Sequence, residues 1–395
     1  MSYLANNLST RLTGIAVPGL GTAGSDLLRI NEIDPNFTML NTETALLYRL
    51  LSMFSKLEAS SQPQYWFFED DTYAIATTVN DGSGLTDSDT TLEVDDAIAV
   101  AGSVLYVPRT EEIMLVTAAT STTLTVTRGY QGSTAAAIVD ADEIVLLGAT
   151  LEEGGTAKGG IVQLPTKVDN YISFFSQSVN TTDLQDVTNM LNGTGQINGE
   201  FAKQTLHIMR QMDQALRFSK GALVANFNST GKAAYYTKGL GQYLTTAAAL
   251  PATGMTWYDM NAQFNDAFLP TNSSPMKTLI VSQAGYSKLN KVCFDRWTAN
   301  PQFEKTIGAT MGQIALDGGG IIDVVVDKYG FHTSGVQGYL LDMDMVGVKP
   351  MAGFDLNWRE ITLPTDHGSN HEVFGSTSLQ VKLGADLHRT VTFDA

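Results

Sequence analysis

Residues 198–224 read NGEFAKQTLHIMRQMDQALRFSKGALV, and Asn198 to Lys220 within them is the longest helical pattern in the chain. With Phe201 at zero and about 100° per residue, Ile208, Met209, Met212, Ala215 and Leu216 fall on one side, the stripe of a core-facing helix. Lys203, Arg210 and Arg217 recur at seven-residue spacing on the opposite side. The pattern therefore predicts one core face and one basic stripe. Such a stripe is either a solvated helix face or a surface turned toward nucleic acid or a neighbour's acidic patch.

Working outward from this helix, the chain from Lys158 alternates as an extended strand does through residues 162–180, VQLPTKVDNYISFFSQSVN. A short helix is expected next, with Thr182 to Gln185 as a capping box and Gly193 as its stop. Further back, residues 64–71, QYWFFEDD, are an aromatic run that breaks into acids, as a strand leaving a core would. Between these two extended stretches the composition changes abruptly. Residues 69–155 hold 16 acids against Arg109 and Arg128, so this segment carries −14 of the net −17, while the rest of the chain has 25 acids against 22 bases. Within it TLEVDD, SVLYV, EEIMLVTAA, TTLTVTRGY and DEIVLLG are short β-rich runs, spaced as in a small sandwich or barrel. Residues 128–133 read as a tight glycine-dependent turn. A break in charge and pattern this sharp marks a module inserted into a host domain.

Upstream, residues 41–60 place Leu46, Leu47, Leu50, Leu51, Phe54 and Leu57 at helical spacing, with Asn41 or Thr42 as a cap. Residues 1–40 show no sustained period and read as an extended arm. Downstream, residues 222–345 look mixed α/β. Thr256 to Asp259 can cap a helix carrying Trp257, Met260, Phe264 and Phe268, MKTLIVS is a buried strand, and AGYSKLNKV a helix after it. GGIIDVVVDKYG and VQGYLLDMDMVGVKP are further strands, and the tail from Phe354 returns to β.

Of the 395 residues 43% are hydrophobic and 16% charged, a globular composition. The lone Cys293, on a helical pattern, excludes a disulfide framework and reads as a buried thiol. No apolar run approaches the ~18 residues that span a bilayer, and no secretory leader is visible, so a soluble protein of a reducing compartment is expected. The acidic balance argues against a general nucleic-acid binder. Gly19, Gly21 and Gly24 match the dinucleotide-binding spacing, but Pro18 precedes them and no βαβ unit follows, so a flexible arm is the better reading. His367 and His371, followed by Glu372, would share one helix face, yet Gly368, Ser369 and Asn370 between them predict a turn joining two strands. Asp342 and Asp344 read as a polar turn after a strand. No catalytic, cofactor-binding or metal residues are expected, and no enzyme.

The order of these pieces resembles a tailed-phage major capsid protein of the Hong Kong ninety-seven type. QYWFFEDD is similar to the outgoing strand of that family's extended loop, and TKVDNYISFFSQSVNTTDLQD to its return. NGEFAKQTLHIMRQMDQALRFSKGALV resembles the spine helix, and GGIIDVVVDKYG with QGYLLDMDMVGVKPM the axial-domain strands. The resemblance implies an α+β capsid fold with an inserted all-β module. The implied divisions are an N-terminal arm (1–40), a peripheral-domain helix and the start of the extended loop (41–68), the acidic inserted β-domain (69–155), the return strand and spine helix (156–221), an axial domain (222–345) and closing peripheral strands (346–395). It implies pentamers and hexamers forming an icosahedral shell, and a portal. It also implies packaged double-stranded DNA near Lys203, Arg210 and Arg217, and a decoration protein as a further partner, with no membrane. The chain lacks the long helical N-terminal segment that serves relatives as a fused scaffold, which implies a separate scaffolding protein. The expected location is the virion, after assembly in the host cytoplasm. Two other readings stay open: an encapsulin-like nanocompartment shell, and an acidic carbohydrate-binding or hydrolytic protein. The last is poorly served by a module whose residues 76–150 offer only Tyr106 and Tyr130 as aromatics.

Overall fold

The computed structural model describes residues 45–149, 153–155, 164–182, 196–225, 227, 231–251, 254–293, 297–299, 311–331, 335–363 and 368–394. The expected arm, the glycine pattern at 19–24, the helix after Thr182 and His367 lie outside them. Two compact units are present, one formed by Met1–Tyr65 with Asn170–Ala395 and the other by Trp66–Asp169.

Helix α1 (Leu46–Phe54) buries Leu47, Leu50 and Leu51, as their spacing requires. Leu57 falls beyond its end, where its N–H donates to the Val348 carbonyl at 2.9 Å. Strand β1 (Gln64–Glu69) alternates buried Tyr65 and Phe67 with exposed Trp66 and Phe68.

The second unit contains β2 (Ala76–Thr78), β3 (Thr91–Glu93), β4 (Val104–Val107), β5 (Glu112–Thr120), β6 (Thr123–Thr127) and β7 (Glu143–Gly148), in the sheet order β2-β7-β4-β5-β6-β3. The outer strands meet, because Asn80 N–H donates to Glu93 O and Asp95 N–H to Thr78 O, each at 3.0 Å. The sheet thus closes on itself and leaves no free edge. Alternate residues point inward to a core of Leu92, Leu105, Met114, Leu124 and Ile144. The turn over Arg128–Ser133 depends on Gly129 and Gly132 at φ of 62° and 85°. Strand β8 (Thr166–Tyr171) pairs with β1 as a two-stranded ribbon. The inserted unit therefore includes ribbon residues at each end and runs wider than the charge break at 69–155.

The first unit continues with β9 (Ser173–Thr182), α2 (Gln196–Phe218), β10 (Lys220–Val224), β11 (Ala234–Lys238), α3 (Leu240–Tyr243), β12 (Ala247–Pro251) and α4 (Trp257–Asn265). Then follow β13 (Met276–Ser282), α5 (Gln283–Cys293), β14 (Trp297–Ala299), β15 (Met311–Ala315), β16 (Ile321–Asp327) and β17 (Gly338–Leu341). The chain closes with β18 (Val346–Val348), β19 (Asn357–Glu360), β20 (Gly368–Thr377), β21 (Leu379–Val381) and β22 (Arg389–Asp394). A seven-stranded mixed sheet runs β12-β22-β17-β13-β16-β15-β14, with β12/β22 and β13/β16 parallel. Both of its faces are covered. Leu279 and Val281 of β13 meet Met260 and Phe264 of α4 and Leu289 of α5, while Ile280 between them meets Leu47, Leu51 and Leu216. That double burial is why MKTLIVS is apolar without alternation. Helix α4 begins with the expected capping box, Thr256 and Asp259.

Helix α2 packs on a three-stranded sheet, β19-β20-β9, through Ile208 and Met212 against Val179 and Val373. The turn expected at Gly368, Ser369 and Asn370 is instead the first part of β20, in register with Thr182, Thr181 and Asn180 of β9. These residues are weak strand formers, but a ten-residue ladder overrides local propensity.

Candidate functional site

The three cations of the expected stripe have different fates. Lys203 is exposed and its ammonium pairs with Glu200 at 2.6 Å. Arg210 is half-buried. Arg217 is fully buried, which overturns its expected place on an open basic face. Its Nε donates to Asp213 Oδ2 at 2.8 Å and its Nη2 to Asp327 Oδ2 at 2.5 Å. The guanidinium lies 4.9 Å from the centre of the Phe331 ring. Asp213 also accepts Tyr48 N–H from α1 at 3.0 Å, and Asp327 accepts the N–H groups of Tyr329 and Gly330 at 3.0 Å each. Burial alone would lower the Arg217 pKa, but the two carboxylates outweigh it and raise it. The physical reason for the miss is that a helical wheel assumes one core. Met212 belongs to the core over the three-stranded sheet and Leu216 to a second core with Ile280 of the seven-stranded one, so near the end of α2 two cores flank the helix and the position of Arg217 is enclosed between distant segments. Asp213, four residues before Arg217, was the signal available in the sequence.

The acidic turn after β17 is also consumed internally. Asp342 accepts Lys277 Nζ at 3.2 Å and Ser274 N–H at 2.9 Å, while Asp344 accepts Ser274 Oγ–H at 2.8 Å. Lys277 also donates to Leu387 O at 2.9 Å. Burial pushes the Lys277 pKa down; at Asp342 burial pushes up, but the Ser274 and Lys277 contacts win and hold the carboxyl below its usual range. Next to them His388 is buried, accepting Asp342 N–H at Nδ1 (3.1 Å), and burial takes its pKa down to about 4. His371 stands on β20 beside Phe201 and Trp358, with ring centroids 5.2 and 5.7 Å away. The Cys293 side chain lies outside the described residues. Among the described residues, no three potential metal ligands converge.

What the surface does offer is apolar residues on thin ribbons. On β1, Trp66 and Phe68 are 52% and 64% exposed, and Lys167 Nζ sits 3.9 Å from the Trp66 ring centre. On the β10–β11 ribbon, Leu223, Val224 and Tyr236 are exposed, as is Phe227 in the connection. A two-stranded ribbon has no second layer to cover such side chains. In the first unit the roots of these ribbons share one buried polar knot. Tyr65 Oη–H and Asn170 Nδ2–H both donate to Leu379 O (2.9 and 2.6 Å), and Asn170 Oδ1 accepts Lys238 N–H at 2.6 Å. Ser378 Oγ lies 3.0 Å from Tyr65 Oη and 3.1 Å from Thr237 Oγ1.

Firm roots, exposed apolar ribbons and an independent closed module define a class: a structural subunit that completes itself against other chains. Residues 30–382 match the SU10 major capsid protein family, and the chain belongs to that family. Among solved structures it is similar to a chain of Gordonia phage Cozz, with 12% identity over 97% of this chain and 96% of that one and a TM-score of 0.48. It is similar to the capsid of a native GTA particle, at 10% identity, 96% and 100% coverage and a TM-score of 0.49. A chain of the holo-SrpI encapsulin complex from Synechococcus elongatus matches at 12% identity over 59% of this chain and 79% of that one, with a TM-score of 0.37. No curated protein matches it in sequence. The protein is a major capsid protein of α+β fold, a structural subunit that assembles into an oligomeric shell and resides in the virion capsid.

Proposed function

We propose that the chain, without enzymatic activity of its own, forms pentamers and hexamers that close into the icosahedral head of a tailed phage around double-stranded DNA. A separate scaffolding protein directs assembly in the host cytoplasm, a portal occupies one vertex, and the closed acidic module is the outward element to which a decoration protein would bind. The observation that carries this reading is the family match over residues 30–382, supported by apolar side chains left exposed on two-stranded ribbons. Packaged DNA makes weak, non-specific contact with Lys203 and Arg210; Arg217, being buried, takes no part. Light scattering and negative-stain microscopy on the purified chain, alone and with a candidate scaffold, test the assembly. Shells, tubes or free pentamers and hexamers are expected; a monomer under both conditions refutes the reading. Particles carrying Lys203→Gln and Arg210→Gln should package less DNA, and full packaging in normal shells would remove the DNA contact.

A further inference from the structure

The first unit holds a half-open groove of about 290 Å³ beside helix α1. Its walls are apolar, formed by Leu50 and Phe54 of α1, Met276 at the start of β13, and Met343. Phe54 and Met276 remain 52% and 46% exposed. Two carboxylates line it as well, Asp323 from the middle of β16 and Asp344 at the rim.

Asp323 is the unusual one. It is only 5% exposed, and its Oδ1 is buried without a hydrogen-bond partner. Its register neighbours are Thr278 on β13 and Gln313 on β15; Gln313 hydrogen-bonds the carboxyl group, which leaves Oδ1 unmet, and neither neighbour is a cation. The other buried acids of this unit are treated differently: Asp213 and Asp327 share Arg217, and Asp342 has Lys277. A buried carboxylate oxygen with nothing to bond costs free energy, and such atoms are rare in native structures unless something absent completes them. Burial accordingly pushes the Asp323 pKa up.

We infer that this groove is a socket for a lysine or arginine side chain of a second copy of this chain. The fit is chemical. Apolar walls suit the aliphatic stem of such a side chain, the buried acid suits its cationic head, and a rim carboxylate suits its approach. Charge distribution favours a copy of the same chain as donor, since 22 of its 24 bases lie outside the acidic segment 69–155. This inference rests on the shell-assembly reading and adds to it one specific contact between subunits.

The test is Asp323→Asn, which keeps volume and removes the charge, read for stability of the unassembled subunit and for assembly. If the socket is empty in the free subunit and filled in the shell, the two readouts move in opposite directions. The melting temperature of the unassembled variant should rise by about 2–4 °C as an uncompensated charge is relieved. The concentration needed for assembly should rise about tenfold or more, the loss of one charge-assisted contact per subunit. In a thermal-shift assay, n-butylguanidinium should stabilise the unassembled wild type more than n-butanol does, and lose that advantage on Asp323→Asn. A variant that is destabilised when unassembled would mean that a base of the same chain fills the groove, and would overturn the proposal. Unchanged assembly of the variant would overturn it too. The wild type assembling in the same assay keeps the shell reading intact whichever way the variant behaves, and its failure to assemble would count against that reading instead.

Discussion

Replacing Arg128 by Met should unfold the inserted module at far lower temperature than the rest of the chain. Arg128 and Glu112 have side chains 6% and 0% exposed. The guanidinium meets the carboxylate through two bonds, Nε to Oε1 at 2.7 Å and Nη2 to Oε2 at 2.8 Å. It also donates to the carbonyls of Thr86 (2.7 Å), Asp89 (3.2 Å) and Ala136 (2.5 Å), so the 86–89 turn and the segment at Ala136 converge on one side chain. Methionine fills the volume but leaves Glu112 with only the N–H groups of Gly129 and Ala136, each at 3.2 Å. An uncompensated buried charge of this kind costs about 3–5 kcal/mol. In a unit of this size each kcal/mol moves the midpoint by about 4–8 °C, so the module's transition should fall by more than about 12 °C. Differential scanning calorimetry of the full chain measures it. The double variant Arg128→Met with Glu112→Leu should recover most of the loss, because no charge is then stranded. Burial would raise the Glu112 carboxyl, but bonds from Arg128, Ala136 and Gly129 overcome it and hold the pKa below its usual range. The pair's stabilisation is therefore full above the ordinary carboxylate pKa and vanishes as pH falls through the depressed folded value. A single-variant shift below about 3 °C, or a double variant no better than the single, would refute the reasoning.

Arg217→Met should strand Asp213 and Asp327 and cost the first unit about 3–5 kcal/mol, seen as a lowered midpoint in denaturant; a loss under about 1 kcal/mol would show that the triad is dispensable. His388 has its pKa lowered from 6.5 to about 4, so the unfolded chain binds the extra proton first and stability falls as pH drops from about 6.5 toward 4, by about 3 kcal/mol in all. His388→Asn should flatten that slope in pH-dependent melting, and an unchanged slope would assign it elsewhere. Thr256→Ala removes the hydroxyl that accepts Asp259 N–H and should cost about 1 kcal/mol, with faster amide exchange over the first turn of α4; unchanged exchange would mean Asp259 alone holds the cap.

Much of the fold was legible because its signals are periodic or compositional. The Leu46–Phe54 spacing and the Thr256–Asp259 box follow from local rules and appear as α1 and the capped start of α4. What stayed hidden depends on which distant segments meet. Gly368–Asn370 look like a turn until β9 lies beside them. Arg217 looks like part of a solvated stripe until Asp327, 110 positions later, reaches it. Arg128 and Glu112 belong to a segment whose β-rich runs, glycine turn and surplus of acids are visible in the sequence, but their buried pairing is not. The strands of the β1–β8 ribbon are anticipated by QYWFFEDD and TKVDNY, whereas the β10–β11 ribbon is not, and the polar knot that roots them needs Tyr65, Asn170 and Leu379 to converge from three regions.

That knot bears on how one sequence can serve a closed shell. Apolar contacts are non-directional and tolerate sliding, while hydrogen bonds fix angle and distance. Placing directional bonds at the ribbon roots and undirected apolar surface along their length divides the task. Within the first unit, bonds from Tyr65 and Asn170 to Leu379 O and from Lys238 N–H to Asn170 Oδ1 fix where the ribbon strands start, and they do not depend on a neighbour. The apolar side chains Trp66, Phe68, Leu223 and Phe227 are left exposed along the ribbons, the surface that the proposed assembly leaves for an adjoining subunit. A specific charged contact such as the one inferred at Asp323 would add what apolar surface lacks, a penalty for the wrong register, because a misplaced neighbour leaves that buried oxygen unpaired.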